Sequence, residues 1–553
     1  MWYLGNKARL GAVVILATSG FVSSWAQAQE SNTPAASETE ISSTALTPAA
    51  QALVAELAKL NEPELADWYA ANGYTPIWNH NTAVSTLLDA IADAPANGLP
   101  AARYDVEGLR AMEASAGGSV QAAAAFEVAA SALFLKYAVD VSTGIIDPSS
   151  LSNLMDRQRP VADIPALMDS VAQNMTDPAF YDALEPQDPV YAALKDELVR
   201  LRVLIAEGET QPRVGPGNTL RPGQTDARVL ALRARLVMQG YDDVAGDSPV
   251  YDDLLVDAVK AFQTANNLDA DGIVGPQTLE AVNADPTQYY QQVLVNLERA
   301  RWMNFDRGAR HIWVNQASYM GYLIDNGEVT LDTLVIVGRA GEKYQTVEFS
   351  DQMEYMVVNP SWNVPQSIAT EVYLPGILRD PTMLARQNFE MRARGSGRIV
   401  DPRLVDLSQY TAGNFPFALR QRPGTNNALG RVKFMFPNRF NIYLHDTPQR
   451  NLFNSDIRAF SAGCVRVKRP LELAYALLAP QEADPEAAFT SALNSRTETQ
   501  INLQVSVPVH LVYNTVFLND LGELEYRIDT YGRDALVINA LLNAGVTMPS
   551  VQG

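Results

Sequence analysis

The chain has 553 residues, which exceeds one typical domain and predicts two to four of them. Hydrophobic residues make up 47 %, an ordinary share for packed globular cores. The net charge of −21 argues against a nucleic-acid-binding protein, because such proteins neutralise phosphates with basic surface.

The N-terminus has the three parts of an export signal. Two basic residues precede an apolar stretch over residues 10–22, and "AQA" at 26–28 fits a small-residue cleavage site. We therefore expect residues 1–28 to be a cleaved signal peptide. The alternative is a retained membrane anchor, which is disfavoured because the apolar stretch is shorter than the ~20 residues of a spanning helix. No later segment has the pattern of a membrane span.

The next two segments differ in their apolar content. Residues 29–48 are rich in Ser, Thr, Ala, Glu and Pro, which predicts a disordered linker. Residues 49–212 carry apolar side chains at i, i+3, i+4 and i+7 spacing, as in "YAALKDELVRLRVLIAEG". This spacing predicts a helical scaffold domain, and the segment contains no paired catalytic groups.

A Pro/Gly-rich boundary over residues 211–226 leads into a compact unit at 225–284. Its leucines and valines follow helical stripes, and Pro276 lies where a last helix can begin, because its missing N–H is not needed there. We expect a small helical bundle. It contains no His or Cys, which favours a binding or spacing role over chemistry.

The chain from about residue 290 to the C-terminus has the alternating pattern of strands. Asp325-Asn326-Gly327 predicts a hairpin turn. Residues 366–425 have helical pieces and few strand signals, which predicts an inserted helical lid, and residues 470–495 are expected to be helical. The strands from residue 505 onward should return to the main sheet. The fold class is therefore α+β and multidomain, with a β-sandwich-like C-terminal domain at 290–553.

This C-terminal domain contains Cys464, the only cysteine of the chain. In an oxidising compartment cysteines usually pair, so a single one is either an inert buried residue or a reactive thiol. Small residues precede it, and Gly463 can adopt positive φ. Such a turn can aim the N–H groups of Gly463 and Cys464 at an oxyanion. Arg466 can grip a carboxylate with two bonds.

A cysteine nucleophile needs a neighbouring base, and four histidines are available. His445 ends a strand-like run 19 residues before Cys464, so the two can meet across neighbouring strands. His80 is expected in a surface loop, and His311 and His510 in strands with packing roles. Asp446 is not expected to orient His445, since adjacent residues of a strand point to opposite faces. A backbone carbonyl should do so instead.

His445, fifteen further residues and then Ser461-x-Gly-Cys-x-Arg resemble the signature of the L,D-transpeptidases of bacterial cell walls. Many members have His where this chain has Ala462, so His445 is the only sequence-adjacent base. The unit at 225–284 is similar to the peptidoglycan-binding domain that such enzymes carry. Further blocks resemble the large periplasmic subfamily: "NPSWNVPQSIA" (359–369), "RVKFMFPN" (431–438), "YLHDTP" (443–448), "LFNSDIRAFSAGCVRV" (452–467) and "YGRDA" (531–535).

The resemblance implies a periplasmic enzyme that forms 3→3 peptidoglycan crosslinks. Cys464 would attack the carbonyl before the terminal D-Ala of a tetrapeptide stem, with His445 as general base and then acid. An amine on the diamino acid of a second stem would resolve the thioester. Carbapenems would be expected to acylate the same thiol.

The other site residues leave alternatives open. Ser461 either contributes to the site or only fixes the turn. Arg466 either binds a substrate carboxylate or pairs with an internal acid. Tyr443 and Trp362 either line the donor cleft or pack in the core.

Several functional alternatives also remain. Water as acceptor would make the protein an L,D-carboxypeptidase, and a protein amine would make it a wall-anchoring transpeptidase. A non-catalytic peptidoglycan-binding scaffold is the third possibility. No cofactor is expected, and one cysteine with four scattered histidines does not predict a metal site.

Overall fold

The first third of the chain is helical in the computed structural model, which describes residues 46–79, 81–206, 212–266, 268–519 and 521–550. The predicted signal peptide, nearly all of the predicted linker and His80 lie outside the described residues. Several helices begin at an Asp-Pro or Glu-Pro pair, where proline fits the first turn. The helices are α1 (Pro48–Leu60), α2 (Pro63–Ala71), α3 (Asn81–Ala92), α4 (Val106–Ser115), α5 (Val120–Thr143), α6 (Pro148–Leu151), α7 (Ile164–Asn174), α8 (Pro178–Asp182) and α9 (Pro189–Ala206).

Helix α5 is the centre of this helical region. Its Glu127 is buried and accepts hydrogen bonds from the Tyr69 hydroxyl at 2.6 Å and from the N–H groups of Ile77 and Trp78. By length and composition α5 could cross a membrane, so the expectation that no later segment has that pattern was wrong. More than half of its apolar stretch is buried against the other helices, as in the core helix of a soluble domain.

The next unit is a three-helix bundle with its own apolar core. Gln263 ties its last loop to the core, because its side chain accepts from the Gly272 N–H and donates to the Ile273 carbonyl at 2.8 and 2.9 Å. Pro276 begins the last helix, as predicted. The helices are α10 (Arg228–Met238), α11 (Asp253–Ala265) and α12 (Pro276–Val282).

Helix α13 (Pro286–Trp302) connects the bundle to the β-rich domain. Asp285 and Gln288 form a capping box at its start, which satisfies N–H groups that have no partner inside the helix. Ten of its side chains are buried, among them charged ones, because it packs against α9 on one side and C-terminal elements on the other.

Fifteen strands form three sheets in the described part of the chain. They are β1 (Arg310–Asn315), β2 (Met320–Asp325), β3 (Glu328–Gly338), β4 (Phe349–Val358), β5 (Trp362–Asn363), β6 (Phe389–Ala393), β7 (Ile399–Val400), β8 (Phe417–Gln421), β9 (Val432–Met435), β10 (Leu444–His445), β11 (Ala459–Ser461), β12 (Val465–Val467), β13 (Thr499–Val512), β14 (Val516–Leu518) and β15 (Leu524–Tyr526).

The main sheet has the order β11-β3-β12-β10-β9-β4-β13-β1-β2. Because β2 also pairs with β3, the strands close around one apolar core. Asn326 and Gly327 take positive φ in the turn between β2 and β3, as the hairpin prediction requires. The predicted α+β class with a β-rich C-terminal domain is confirmed.

The insertion between β4 and β9 has a core of its own and forms one wall of the cleft described below. It was expected to be helical with few strands, and this was wrong in part, since β5, β8, β6 and β7 form a four-stranded sheet in it. These strands have two to five residues, too few for a clear alternating pattern. The helices are α14 (Gln366–Ile368), a π-helical turn (Ala369–Tyr373), α15 (Leu374–Arg379) and α16 (Met383–Arg386).

The last part of the chain contributes to the main sheet and also packs against α13. Helices α17 (Pro470–Leu478) and α18 (Pro485–Asn494) confirm the predicted helical segment. Strand β13 returns to the main sheet between β4 and β1, as predicted, whereas β14 and β15 pair only with each other, contrary to prediction. Helix α19 (Arg533–Asn543) packs against α13.

Candidate active site

His445 and Cys464 lie on neighbouring strands of the main sheet. Strand β10 ends at His445, and Cys464 directly precedes β12, which pairs with β10 in parallel. The Val465 N–H donates to the Tyr443 carbonyl at 3.1 Å, so Tyr443 lies beside the thiol. Both predicted catalytic residues line one cleft of about 1050 Å³.

The insertion provides the opposite part of the cleft lining. Trp362 of β5 is half-buried, packs against Tyr373 and Phe389 of the insertion and also lines the cleft. Trp362 therefore both packs in the core of the insertion and lines the cleft, so both of its predicted alternatives apply. The contact of Glu371 with Lys343 and with the Tyr344 hydroxyl joins the insertion to the β3–β4 loop at the cleft.

The turn before the thiol is fixed by Ser461. The Ser461 hydroxyl donates to the Cys464 carbonyl at 2.6 Å and accepts from the Gly463 N–H at 3.1 Å. Gly463 has φ +118°, a conformation that side chains other than glycine rarely adopt. Its carbonyl accepts from the buried Thr346 hydroxyl at 2.8 Å, and Thr346 in turn accepts from the Gly338 N–H. The turn is thus held from both sides.

This arrangement corrects one sequence-based expectation. The Gly463 N–H is committed to Ser461 and is not available to an oxyanion. Within the described ranges no protein acceptor engages the Cys464 N–H, which leaves it as the backbone donor at the thiol. The Ser461 hydroxyl takes the Gly463 N–H in place of a substrate oxyanion, because it lies only two residues before Gly463. This short-range hydrogen bond is typical of serine turns.

His445 is oriented by a backbone carbonyl, as predicted. Its Nδ1 lies 2.5 Å from the Asp446 carbonyl oxygen, which can only accept, so Nδ1 carries the proton and Nε2 the free lone pair. The Asp446 carboxylate points away and binds Arg431, Arg450 and the Thr447 N–H. A Cys-His-Asp triad is therefore not formed.

Burial keeps both reacting groups neutral. Desolvation, with help from the nearby cations Arg466 and Lys433, lowers the pKa of His445 to about 3. Desolvation also raises the pKa of the Cys464 thiol to about 11, although hydrogen bonds from Tyr443 and the same two cations act in the opposite direction. At neutral pH the pair is an imidazole and a thiol, and not an ion pair.

The thiol contacts a backbone carbonyl and is not bonded to the imidazole in the structure. Cys464 Sγ lies 3.6 Å from the Asn441 carbonyl oxygen, and within the described residues it has no hydrogen bond to His445. The thiol proton must leave the Asn441 carbonyl before it can pass to the imidazole. Catalytic hydrogen bonds are often long or absent until substrate binds, so this geometry does not exclude the pair.

Arg466 and Tyr443 also line the cleft. Arg466 Nη1 donates to the Gln449 side chain at 2.7 Å, its Nε is buried without a partner, and it forms no ion pair within the described residues. The alternative that Arg466 pairs with an internal acid is thus not what the structure shows. His311 and His510 lie in β1 and β13, where they pack against each other far along the sheet.

Three family models match consecutive segments of the chain. A model described as "Scaffold domain" matches residues 63–198, and one described as "Putative peptidoglycan binding domain" matches residues 225–282. A third, described as "L,D-transpeptidase catalytic domain", matches residues 309–488, which include His445 and Cys464. Residues 309–488 thus match an L,D-transpeptidase catalytic domain. The family resemblance stated from the sequence is thereby confirmed.

Relatives of this L,D-transpeptidase domain are similar over part of their length. A curated Haemophilus influenzae protein named "Putative L,D-transpeptidase" is 34 % identical over 255 residues, which are 46 % of this chain and 50 % of that protein. The chain thus spans half the length of this curated relative.

Solved structures of L,D-transpeptidases from Xylanimonas cellulosilytica and Stackebrandtia nassauensis share 17 % and 12 % identity with the chain. They cover 54 % and 55 % of this chain and 98 % and 97 % of their own chains, with TM-scores of 0.15 and 0.20. These scores are too low for a comparison of site geometry.

Three residues of the candidate site were not predicted from the sequence. Thr346 and Asn441 contact the catalytic turn and the thiol, and Lys433 lines the cleft beside Tyr443. Thr346 lies 118 residues before Cys464, and only the tertiary fold brings them together. Lys433 lies within the quoted block "RVKFMFPN", where an isolated lysine between apolar residues was the available signal.

Proposed function

We propose that the protein is a cysteine-dependent L,D-transpeptidase that forms 3→3 crosslinks between peptidoglycan stem peptides. The observation that carries the proposal is the shared cleft of Cys464 and His445, in which the imidazole presents a free Nε2 lone pair. The matches to the two family models support the substrate class.

The first half-reaction forms a thioester. His445 Nε2 takes the thiol proton as Sγ attacks the carbonyl carbon between the diamino acid and the terminal D-Ala of a donor stem. The Cys464 N–H is the candidate donor to the developing oxyanion. The C–N bond then breaks, the proton on His445 passes to the departing amine, and D-Ala leaves.

The second half-reaction transfers the acyl group. The side-chain amine of an acceptor diamino acid attacks the thioester carbon, His445 accepts a proton from that amine, and Sγ departs and recovers the proton. The cleft volume of about 1050 Å³ is slightly above the usual range for ligand sites, so a second peptide has room beside the donor.

We further propose roles for the other parts of the molecule. Arg466 would hold a substrate carboxylate, Tyr443 and Trp362 would line the donor path, and Ser461 would keep the turn in shape. The domain at 225–284 would hold peptidoglycan near the cleft, and residues 1–28 would direct export to the periplasm, where the substrate lies.

The direct test is intact-protein mass spectrometry after incubation with a tetrapeptide muropeptide. Wild-type protein should gain the mass of the tripeptide acyl group and produce crosslinked dimers, and Cys464→Ala should show neither. Tripeptide release without dimers would identify a carboxypeptidase, and transfer to an added protein amine would identify a wall-anchoring enzyme. Absence of any adduct, combined with binding to isolated peptidoglycan, would identify a non-catalytic scaffold.

A further inference from the structure

A row of three side chains crosses the sheet at the cleft. In the pairing of β9, β10 and β12, His445 lies directly opposite Lys433 on one side and Arg466 on the other. Residues directly opposite one another on neighbouring strands point to the same face. All three line the cleft, whereas the next row on the same strands is buried in the core: Phe434, Leu444 and Val465.

The two cations of this row have no acidic partner within the described residues. Lys433 is half-buried, and its contact is with the Tyr443 ring, whose centroid lies 5.9 Å from Nζ. Arg466 bonds only to an amide oxygen and has a buried Nε without a partner.

The acids nearest to the cleft are engaged elsewhere. Glu498 accepts from the Ser361 hydroxyl and N–H and binds Arg420, and Glu371 is held by Lys343 and Tyr344.

Two like charges on either side of a neutral imidazole are unfavourable in a desolvated cleft. Glu498 acts on Lys433 only through space, because its carboxylate is bonded to Ser361 and Arg420. The chain has 63 acidic residues, so the lack of an ion pair at Lys433 and Arg466 within the described residues is not due to a shortage of acids. An anion in the cleft would offset the two positive charges of the row.

We propose that Lys433 binds the side-chain carboxylate of the diamino acid in the donor stem, so that the protein selects donors in which this carboxylate is free over amidated ones. This inference rests on the proposed function, which supplies the donor.

Strand spacing supports the assignment of the carboxylate. Lys433 and Arg466 are two strand spacings apart, about 9–10 Å. Arg466 lies two residues after Cys464, so in this proposal it takes the leaving D-Ala carboxylate, which is one residue beyond the scissile bond. The diamino-acid side chain can extend across the row toward Lys433.

The test compares two donors, a tetrapeptide stem with a free diamino-acid carboxylate and the same stem amidated at that position. We expect wild-type protein to form the thioester from the free acid with a second-order rate constant on the order of tenfold higher. Lys433→Met should lose this preference by reacting more slowly with the free acid alone. Lys433→Arg should retain it, because the charge is kept.

Lys468→Met is the matched control. It removes the same charge from an exposed lysine outside the cleft, and it should keep the wild-type preference. An unchanged preference in Lys433→Met, or equal rates with both donors in the wild type, would overturn the inference.

Binding to Cys464→Ala, measured by calorimetry, separates this inference from the proposed function. Tighter binding of the free acid than of the amide, lost in Cys464→Ala/Lys433→Met, would support the inference even if wild-type protein formed no adduct and the proposed reaction failed. Equal binding of both donors to Cys464→Ala would overturn the inference even if crosslinking were observed.

Discussion

Helix α13 and the row across β9, β10 and β12 both place charged side chains away from water, but they compensate them differently. Arg301 of α13 is 1 % exposed, and it is paired with Glu298 at 2.9 Å and bonded to the Tyr191 hydroxyl. Lys433 and Arg466 in the cleft form no such ion pair within the described part of the chain.

The two regions thus illustrate two uses of a desolvated charge. Along α13 each of the ion pairs has both partners within the protein, and the pair of Arg299 with Asp534 connects α13 to α19 and holds the two helices in one relative position. The cations in the cleft form no ion pair within the described residues. This costs stability in the unliganded protein, but in our proposal it allows an anionic substrate to bind.

Among substitutions in the cleft, removal of the base His445 is expected to have the largest effect. His445→Gln should slow thioester formation by about 10²- to 10⁴-fold, because general base catalysis contributes that range. The rate is measured by intact mass with the tetrapeptide donor. The melting temperature should change little, and a rate within threefold of wild type would remove His445 from the mechanism.

The largest effect expected from the helix side is on stability. Glu298 also accepts from the Ile145 and Ile146 N–H groups at 2.7 and 2.8 Å, so Glu298→Ala leaves these donors and Arg301 without their partner. The free energy of unfolding should fall by about 3–5 kcal/mol. Urea denaturation measures this change.

A double variant sharpens this prediction. Glu298→Leu/Arg301→Met replaces both charges by apolar groups, and it should be more stable than Glu298→Ala because no charge is left unpaired. The folded fraction of either variant should acylate at the wild-type rate. If Glu298→Ala slowed acylation without lowering the free energy of unfolding, the distinction between the structural charges of α13 and the charges of the cleft would be wrong.

A smaller effect is expected where a neutral side chain supports the catalytic turn. Thr346→Val keeps the shape but leaves the Gly338 N–H and the Gly463 carbonyl unpaired, at a cost of about 1–3 kcal/mol in unfolding free energy. Thioester formation should also slow, since the turn before Cys464 loosens. Thr346→Ser should restore both, and a fully active Thr346→Val would show that the turn needs no such support.

The smallest effect concerns the charge of Arg466. An ultraviolet titration should show the thiolate with a midpoint near the pKa of about 11 that burial gives the thiol. Arg466→Gln should raise this pKa further, since a cation that lowers it is removed.

The pH dependence of the rate follows from the two pKa values. Above the His445 pKa of about 3 and below that of the thiol, the protonation of both groups is constant. The rate of thioester formation should therefore vary little between about pH 5 and 9. A thiolate signal at neutral pH would indicate an ion pair instead.

Several local features could be predicted because neighbouring residues dictate them. The positive φ of Gly463, the hairpin at Asn326-Gly327, the start of α12 at Pro276 and the backbone carbonyl on His445 each follow from steric or directional rules over a few residues. The prediction for the Gly463 N–H was wrong over the same short range, because the Ser461 hydroxyl accepts that hydrogen bond, whereas the Cys464 N–H stays a candidate oxyanion donor.

The sequence by itself determined the order of helical and β-rich segments and the motif that identifies the family, since periodicity and motif spacing are properties of the chain. Only the tertiary structure decided which strands are neighbours. Pairing of β10 with β9 and β12 is what puts Lys433, His445 and Arg466 in one row, and the path of β3 and β4 is what puts Thr346 behind Gly463. These contacts depend on long loops closing and on core packing, which are set by the whole domain and not by any local pattern.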